Sequence, residues 1–429
     1  MTGKTISQED RKQIIKEILT DLHNGKSLED ARQKFKANFT GVASAEIAAA
    51  EAELLKEGMP LEELQRLCSV HAALFEGALE KPAVELNILD SSDQPGHPAN
   101  TLRRENRAIE TLCHQTIEAL VARFEEGDDP QVSVELCSAL TALSDIKRHY
   151  QRKENLFFPY MERHGISAPP KVMWGVDDEI RAALSQAISV VADSVADRRQ
   201  SAAAVRAVIA SIDEMISKEE NIMLPLILEV LSQEEWEQIA CESDDLGYCL
   251  INTPPAWRST HVIDVADAQA VGASGVEAPT AISEADGALS QSGADIALPT
   301  GALRLSELIG IFNTLPVDIT FVGKDDTVRY FSQGAERIFL RTKAIIGRRV
   351  VDCHPPASIS VVKHLLSDFK AGRKSHEDFW IQQQGVFVYI RYFAVRDDAG
   401  AYLGTLEVTQ NITEVQALTG EKRLMGQGA

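Results

Sequence analysis

The chain has 429 residues, too many for one ordinary domain, so two or three are expected. Hydrophobic side chains make up 44% and charged ones 25%, which supports real cores and excludes wholesale disorder, a collagen-like chain or a disulfide miniprotein. Forty-three basic against 64 acidic side chains leave a net charge of −21. A field of that sign repels phosphate backbones and anionic lipid, so neither a nucleic-acid partner nor a membrane surface is expected.

Six cysteines, at Cys68, Cys113, Cys137, Cys241, Cys249 and Cys353, are scattered without a CxxC pair. In a chain of this size reduced thiols are the default. The first residues show no apolar leader segment, and no uncharged apolar run reaches the 18 residues a span needs. The expectation is a soluble cytoplasmic protein.

Residues 1–82 read as a small helical domain. Ile14, Ile15, Ile18, Leu19 and Leu22 recur at helical spacing, and Asn24-Gly25 supplies a stop. Ser27 and Asp30 fit a cap spacing. Another helix opens at Ser44 and ends at Gly58, and a third runs from Pro60 through Leu67 to Phe75. In that third helix Cys68 and His71 lie three apart on one face. They form a redox or ligand pair, or else a buried thiol beside a satisfied histidine.

Residues 97–250 read as four longer helices in an up-down bundle. The first carries a stripe at Leu102, Ile109, Leu112, Thr116, Leu120 and Phe124. The second opens at Asp129-Pro130 and ends before Gly165. The third is expected to start near Asp177, and the fourth runs from about Ser201 towards Leu231. The second and fourth contain a repeat. Lys153-Glu154-Asn155-Leu156-Phe157-Phe158-Pro159 matches Glu219-Glu220-Asn221-Ile222-Met223-Leu224-Pro225 at an offset of 66 residues.

Residues 258–300 are rich in Ala, Ser, Gly and Asp and read as a flexible acidic linker. Residues 301–416 change period. Strands are expected at 318–322 and 328–331, then helical pieces at 335–339, 342–346 and 359–370, then strands at 376–382, 386–395 and 402–409. This order predicts an antiparallel sheet flanked by helices, followed by a tail at 417–429. Phe321, Phe331, Phe339, Phe379 and Tyr389 are its interior candidates, as core or as the lining of a ligand pocket. The string Cys353-His354-Pro355-Pro356 reads first as a proline-stiffened turn.

Three stretches carry resemblances. His97-Pro98 ahead of Arg104-Glu105-Asn106, with the repeated Lys-Glu-Asn…Pro segments, resembles the hemerythrin-like (HHE cation-binding) family. The start Leu315-Pro316-Val317-Asp318 and the end Gly404-Thr405-Leu406-Glu407-Val408 resemble a PAS sensor domain. Leu67-Cys68-Ser69-Val70-His71 resembles a helical N-terminal domain of unknown function that accompanies them in some bacterial proteins. The fold class implied is multidomain α plus α+β: a small helical domain, a hemerythrin-like four-helix bundle, a linker and a PAS-type sheet.

The first resemblance implies iron held by His and carboxylate ligands between the helices. The family places a His ten residues, and a Glu six residues, before the helix proline. Spaced i and i+4, these lie about 40° apart on a helix and reach one metal. Here the second helix has His149 but Lys153 in the Glu place. Glu154 is one residue late and joins His149 only through a π-bulge. The fourth helix has Glu219 but Met215 in the His place, Asp177 stands where a His is usual, and Asn100 takes the place of another. The remaining metal set is His97, Glu105, His149, Glu154, Asp177 and Glu219. A carboxylate on an apolar stripe needs a partner or a ligated ion. The competing reading pairs Lys153 with Glu219 and lets Asp177 cap its helix. A third reading makes His149 and Met215 a haem axial pair.

The function expected is a cytoplasmic sensor or adaptor. The bundle senses a metal-, oxygen-, NO- or redox-linked signal, and the PAS domain relays it through a protein partner or self-association. The alternatives are a metal-free interaction protein, a non-haem iron redox or repair enzyme, and a haem-binding sensor. The cofactor is accordingly non-haem iron, haem or none. No kinase, nucleotide-loop or hydrolase motif stands out, which weighs against an enzyme.

Overall fold

The structure, a computed structural model, describes residues 8–39, 42, 44–60, 63, 92–127, 130–258, 295–335, 337–383 and 385–420. Cys68, His71, the third N-terminal helix, the boundary at 82, the Asp129 cap, most of the acidic linker and residues 421–429 lie outside them. Packing divides the chain into two units, one formed by Met1–Ser259 with Arg341–Lys363 and the other by Thr260–Leu340 with His364–Ala429.

The first unit opens with α1 (Gln8–His23), α2 (Leu28–Asn38) and α3 (Ser44–Lys56). Ser27 caps α2 by accepting the Asp30 N–H at 3.1 Å. The expected stripe of Ile15, Ile18, Leu19 and Leu22 is buried against Ala31, Phe35, Ile47, Ala50 and Leu54. A forked pair from Arg11 to Glu46, at 2.6 and 2.9 Å, ties α1 to α3.

The bundle follows. Its first rod is α4 (Pro98–Thr111), a π turn at Leu112–Ile117 and α5 (Glu118–Glu126). Its second is α6 (Pro130–Leu143), α7 (Ile146–Arg152), a π turn at Lys153–Phe157 and α8 (Phe158–Arg163). The third is α9 (Ala168–Ala192). The fourth is α10 (Arg198–Lys218), a π turn at Glu219–Met223 and α11 (Leu224–Val230). Contacts of α5 with α6, α6 with α9, α9 with α10 and α10 with α5 close the ring of four.

Three expectations shift. In the first rod the π turn inserts one residue and rotates the buried face by about 100°. Cys113, Ile117 and Val121 are therefore buried, while Thr116 is exposed and Leu112 and Leu120 lie at the margin. The third rod begins at Ala168, with Pro169 and Pro170 in its first turn, so Asp177 sits in mid-helix and caps nothing. A further helix, α12 (Gln233–Leu246), follows the fourth rod on a complete capping box between Ser232 and Glu235. The Ser232–Glu235 spacing is a cap signal in the sequence itself, and the helix brings the fully buried Trp236 into the core.

The second unit opens with a hairpin of β1 (Ile296–Leu298) and β2 (Gly301–Leu303), so the linker expected to reach residue 300 stops short of it. After α13 (Leu305–Thr314) come β3 (Asp318–Gly323) and β4 (Val328–Phe331). Short 3-10 turns at Lys343–Ile345, Val350–Cys353 and Pro356–Ser358 precede α14 (Ile359–Lys370). No helix forms among the described residues at 335–339. β5 (His376–Gln383), β6 (Val386–Arg396) and β7 (Tyr402–Asn411) complete an antiparallel sheet of order β4-β3-β7-β6-β5, and α15 (Thr413–Gln416) is the last element among the described residues. The β3–β4 turn holds Asp326 at φ 63°, a left-handed position that Asp tolerates.

One glycine permits a close backbone approach just ahead of α4. Gly96 has φ +92°, and a Cβ there would lie 2.1 Å from the Pro255 carbonyl oxygen. Gly96→Ala should therefore cost on the order of 2–4 kcal/mol in denaturant unfolding; a loss below about 0.5 kcal/mol, the scale of an ordinary surface change, would contradict this close approach.

Candidate functional site

The core of the bundle holds a set of ionisable side chains with no solvent exposure. Glu105, His149, Lys153, Asp177 and Glu219 are each 0% exposed. They come from four rods: Glu105 from α4, His149 from α7, Asp177 from α9, and Lys153 and Glu219 from the first residues of two π turns.

His149 bridges two of the carboxylates. Its Nδ1 lies 2.7 Å from Glu105 Oε2 and its Nε2 3.0 Å from Glu219 Oε2. A carboxylate oxygen accepts, so each ring nitrogen donates, and a ring that donates twice is an imidazolium. Burial opposes that charge, but Glu219 and Glu105 outweigh it and lift the His149 pKa to about 9. Glu219 is in turn held down to about 2, its burial outweighed by Lys153 and His149.

Lys153 closes the other side. Its Nζ donates to Glu219 Oε1 at 2.5 Å and to Asp177 Oδ1 at 2.8 Å. It also stands 4.4 Å above the centre of the Tyr150 ring. Lys153 and Glu219 are equivalent positions of the 66-residue repeat. The two halves thus present opposite charges to each other where identical carboxylates would repel.

Glu105 is saturated. Beyond His149 it accepts from Arg152 Nη2, and its Oε1 accepts the Cys249 backbone N–H at 2.6 Å. Arg152 also donates to the Gly247 carbonyl at 2.8 Å. The turn after α12, which includes Leu250 at φ 56°, is thereby clamped onto the network. Nothing in the sequence reading pointed to Arg152 or to this turn.

Glu154 sits in the π turn that the spacing argument required, yet it does not join His149. Its carboxylate accepts from Arg181 Nη2 at 2.8 Å, and Arg181 also donates to Asp178 at 2.6 Å. Burial raises the Glu154 pKa against the opposing Arg181. His97 is likewise engaged. Its Nδ1 accepts the Ala99 N–H at 3.0 Å, capping α4, and its ring packs against Trp236 and Trp257 at 4.7 and 4.5 Å between centroids. Burial pushes its pKa down to about 4, so the ring is neutral.

The site therefore gathers Glu105, His149, Asp177 and Glu219, with His97 engaged as a helix cap and Glu154 paired to Arg181. Most of the ligand atoms are already spent, with Asp177 Oδ2 a buried oxygen that has no hydrogen-bond partner. Both nitrogens of His149 carry protons, both oxygens of Glu219 and Glu105 are engaged, and an ammonium lies between Glu219 and Asp177. Among the described residues no group of three His, Cys, Asp or Glu side chains is arranged to hold a metal ion. The arrangement does not fit bound iron. It does not fit haem either, because His149 has no lone pair to offer; Met215 is a fully buried core residue.

The PAS-pocket residues divide between the two faces of the sheet. Phe379 pairs with Ile390 in register, and Phe331 with Thr320, on the face that buries Val388, Ile390, Thr409 and Glu407. Phe321 pairs with Tyr330, and Tyr389 with the exposed Trp380, on the opposite face. Tyr389 donates there to Asp378 at 2.7 Å. Phe339 is half-buried in the chain between β4 and the first 3-10 turn. His354 donates through Nδ1 to the Val350 carbonyl at 2.7 Å, which makes its string a turn.

Removing the central ammonium tests the network. Lys153→Met leaves Asp177 and Glu219 buried with one cation fewer and should cost about 3–5 kcal/mol in equilibrium unfolding. A loss under about 1 kcal/mol would show that the pairing is not structural. The wild-type pH profile supplies a second test. The His149 pKa is raised in the folded state, so its contribution is full below about 6.5 and lost as pH climbs through about 9. Glu154, also raised, acts with the same sign. The unfolding midpoint of the helices should fall between about pH 6.5 and 9; a midpoint that rises over this interval contradicts the assignment.

Comparison with known proteins gives three matched segments. Residues 15–81 match the model of a family of unknown function (DUF438), residues 97–227 the hemerythrin HHE cation binding domain, and residues 308–413 a PAS domain. No curated protein matches the chain. Among solved structures, a C-terminal domain from Streptococcus mutans is 35% identical, covering 29% of this chain and 98% of its own, with a TM-score of 0.28. The sensor region of a sensor histidine kinase is 22% identical over 23% of this chain and 40% of its own, with a TM-score of 0.19. A PAS domain from Colwellia psychrerythraea is 14% identical over 26% of this chain and 98% of its own, with a TM-score of 0.21. The chain is thus a three-part protein whose segments match, in order, DUF438, the hemerythrin HHE domain and the PAS domain.

Proposed function

We propose that this chain is a sensor and adaptor whose bundle works without a resident metal, with its own cations in the place of iron, and whose PAS part makes the protein contacts. The hemerythrin-like and PAS matches support a sensor role. The observation that carries the metal-free reading is the pairing of His149 and Lys153 with Glu105, Asp177 and Glu219, all fully buried. A metal entering this site would have to strip one proton from the His149 imidazolium and displace an ammonium bonded to two carboxylates. On this reading the bundle responds through the geometry and protonation of a buried ion network, not through bound oxygen or iron chemistry. The PAS part offers its partner a sheet whose outer face carries Trp380, 64% exposed. No helix among the described residues is long and apolar enough to cross a membrane.

Iron analysis and absorption spectra of full-length protein from iron-replete cells test the proposal. The expected result is iron well below one atom per chain, with neither oxo-bridged iron bands nor a Soret band. Anaerobic addition of ferrous iron should leave the spectrum and the unfolding midpoint unchanged. Stoichiometric iron or haem would overturn the metal-free reading. Lys153→Glu supplies a positive arm, since it restores a carboxylate four residues after His149 and removes the competing ammonium. It should be destabilised in metal-free buffer and partly rescued by ferrous iron or zinc.

A further inference from the structure

Residues 341–352 pack within the helical unit, although they lie inside the stretch that matches the PAS domain. Part of the segment is held by α12 and α9, through Glu242 with the Lys343 and Ala344 N–H groups and Thr342, and through Trp174 under Arg348; the rest reaches the π turn Lys153–Phe157 and the helix after it. Pro159 has no N–H, so the carbonyl of Asn155, four residues earlier, loses its ordinary helical donor. The wide turn frees a second carbonyl: Phe158 donates to Lys153, which leaves the Glu154 carbonyl without its usual i+4 partner.

Both carbonyls receive donors from the 341–352 segment. Thr342 Oγ1 donates to the Asn155 carbonyl at 2.8 Å, and Arg348 Nη1 to the Glu154 carbonyl at 3.4 Å. Arg348 then forks onto Glu162 at 2.6 and 2.9 Å. Arg163 answers from the bundle side, donating to the Ala344 carbonyl at 2.7 Å. Lys171 pairs with Asp352 at 3.1 Å, and Ala344 is buried in the core of the bundle. Arg348 is itself only 6% exposed, so this is a built contact rather than a surface salt bridge.

We infer that residues 341–352 form a latch that reads the shape of the π turn, and so carry the state of the buried ion network into the PAS stretch of the chain. The turn whose carbonyls the latch holds also carries Lys153 and Glu154. Tightening of the turn towards an α-helix moves both carbonyls and returns the Glu154 carbonyl to the Phe158 N–H, which removes the acceptor that Arg348 uses. The inference deepens the relay reading above by naming the segment that relays.

Pro159→Ala tests it in the full chain. The new N–H gives the Asn155 carbonyl a helical donor and competes with Thr342. Amide exchange across 341–352 should quicken by roughly three- to ten-fold, the equivalent of one net hydrogen bond, while β6 and β7 keep their protection. Thr342→Val, which also removes the hydroxyl's contact with Glu242, should loosen the segment at least as much alone and add less than its own effect to Pro159→Ala, because both act on the Asn155 carbonyl. Fully additive effects, or unchanged exchange in folded Pro159→Ala protein, overturn the latch. If Pro159→Ala does not fold, Arg348→Met is read at residues 150–158, where loss of protection supports the latch and unchanged protection sinks it. Iron in the purified protein would defeat the metal-free reading and leave these exchange results standing. An unresponsive segment would defeat the latch and leave the metal-free reading standing.

Discussion

Placing ionised groups in the dry centre of a helical bundle costs several kcal/mol per ion, and that cost is offset only by close, well-directed opposite charge. In this chain the constraint falls on Glu105, Asp177 and Glu219, none of which touches water. The compensating cations are the His149 imidazolium and the Lys153 ammonium, with Arg152 closing on Glu105. Each of the four rods supplies at least one member, so the network fixes the register of the rods as well as neutralising their charge. Losing one member leaves its partners stranded, which makes the network a strong determinant of a single bundle geometry and a poor place for neutral variation.

The repeat explains how this arrangement arises. Two copies of one segment bring their first π-turn residues face to face, at Lys153 and Glu219. Two carboxylates in those places would need an external cation between them, as the hemerythrin-like resemblance implies. Here one of the two is a lysine, and the two side chains pair directly at 2.5 Å. The π turns matter for the same reason. Each precedes a proline, at Pro159 and Pro225, and each wide turn changes which side chains the rod directs inward.

The architecture was legible from residues alone because it rests on period and punctuation. Helical spacing in the bundle, alternation in the sheet and the low-complexity stretch between them are local signals, and the three family segments follow the same divisions. The need for compensation at Glu105 and Glu219 was legible as well, since a carboxylate on an apolar stripe cannot stand alone, but His97 and Glu154, grouped with them in the sequence, have other partners. The pairing was harder. A π turn moves a side chain by about 100° without any mark in composition, so the buried face of the first rod slipped from Thr116 to Ile117; in the second rod the wide turn opens only at Lys153, past the His149 turn, and Glu154 faces Arg181. Arg152 escaped notice because its partners, Glu105 and the Gly247 carbonyl, are distant in sequence. The faces of the PAS sheet were misassigned for a related reason: Phe321 and Tyr389 alternate correctly within their own strands, but only cross-strand register shows which face is covered.

Everything in this account depends on the charge of one ring. Nitrogen-15 chemical shifts of His149, recorded on full-length protein labelled at histidine and assigned by a His149→Gln spectrum, measure that charge directly. The account predicts that both ring nitrogens remain protonated at about pH 7.5, well above the ordinary histidine range. A neutral ring at that pH, with one nitrogen bearing a free lone pair, would contradict it and return His149 to the pool of ligands available to a metal.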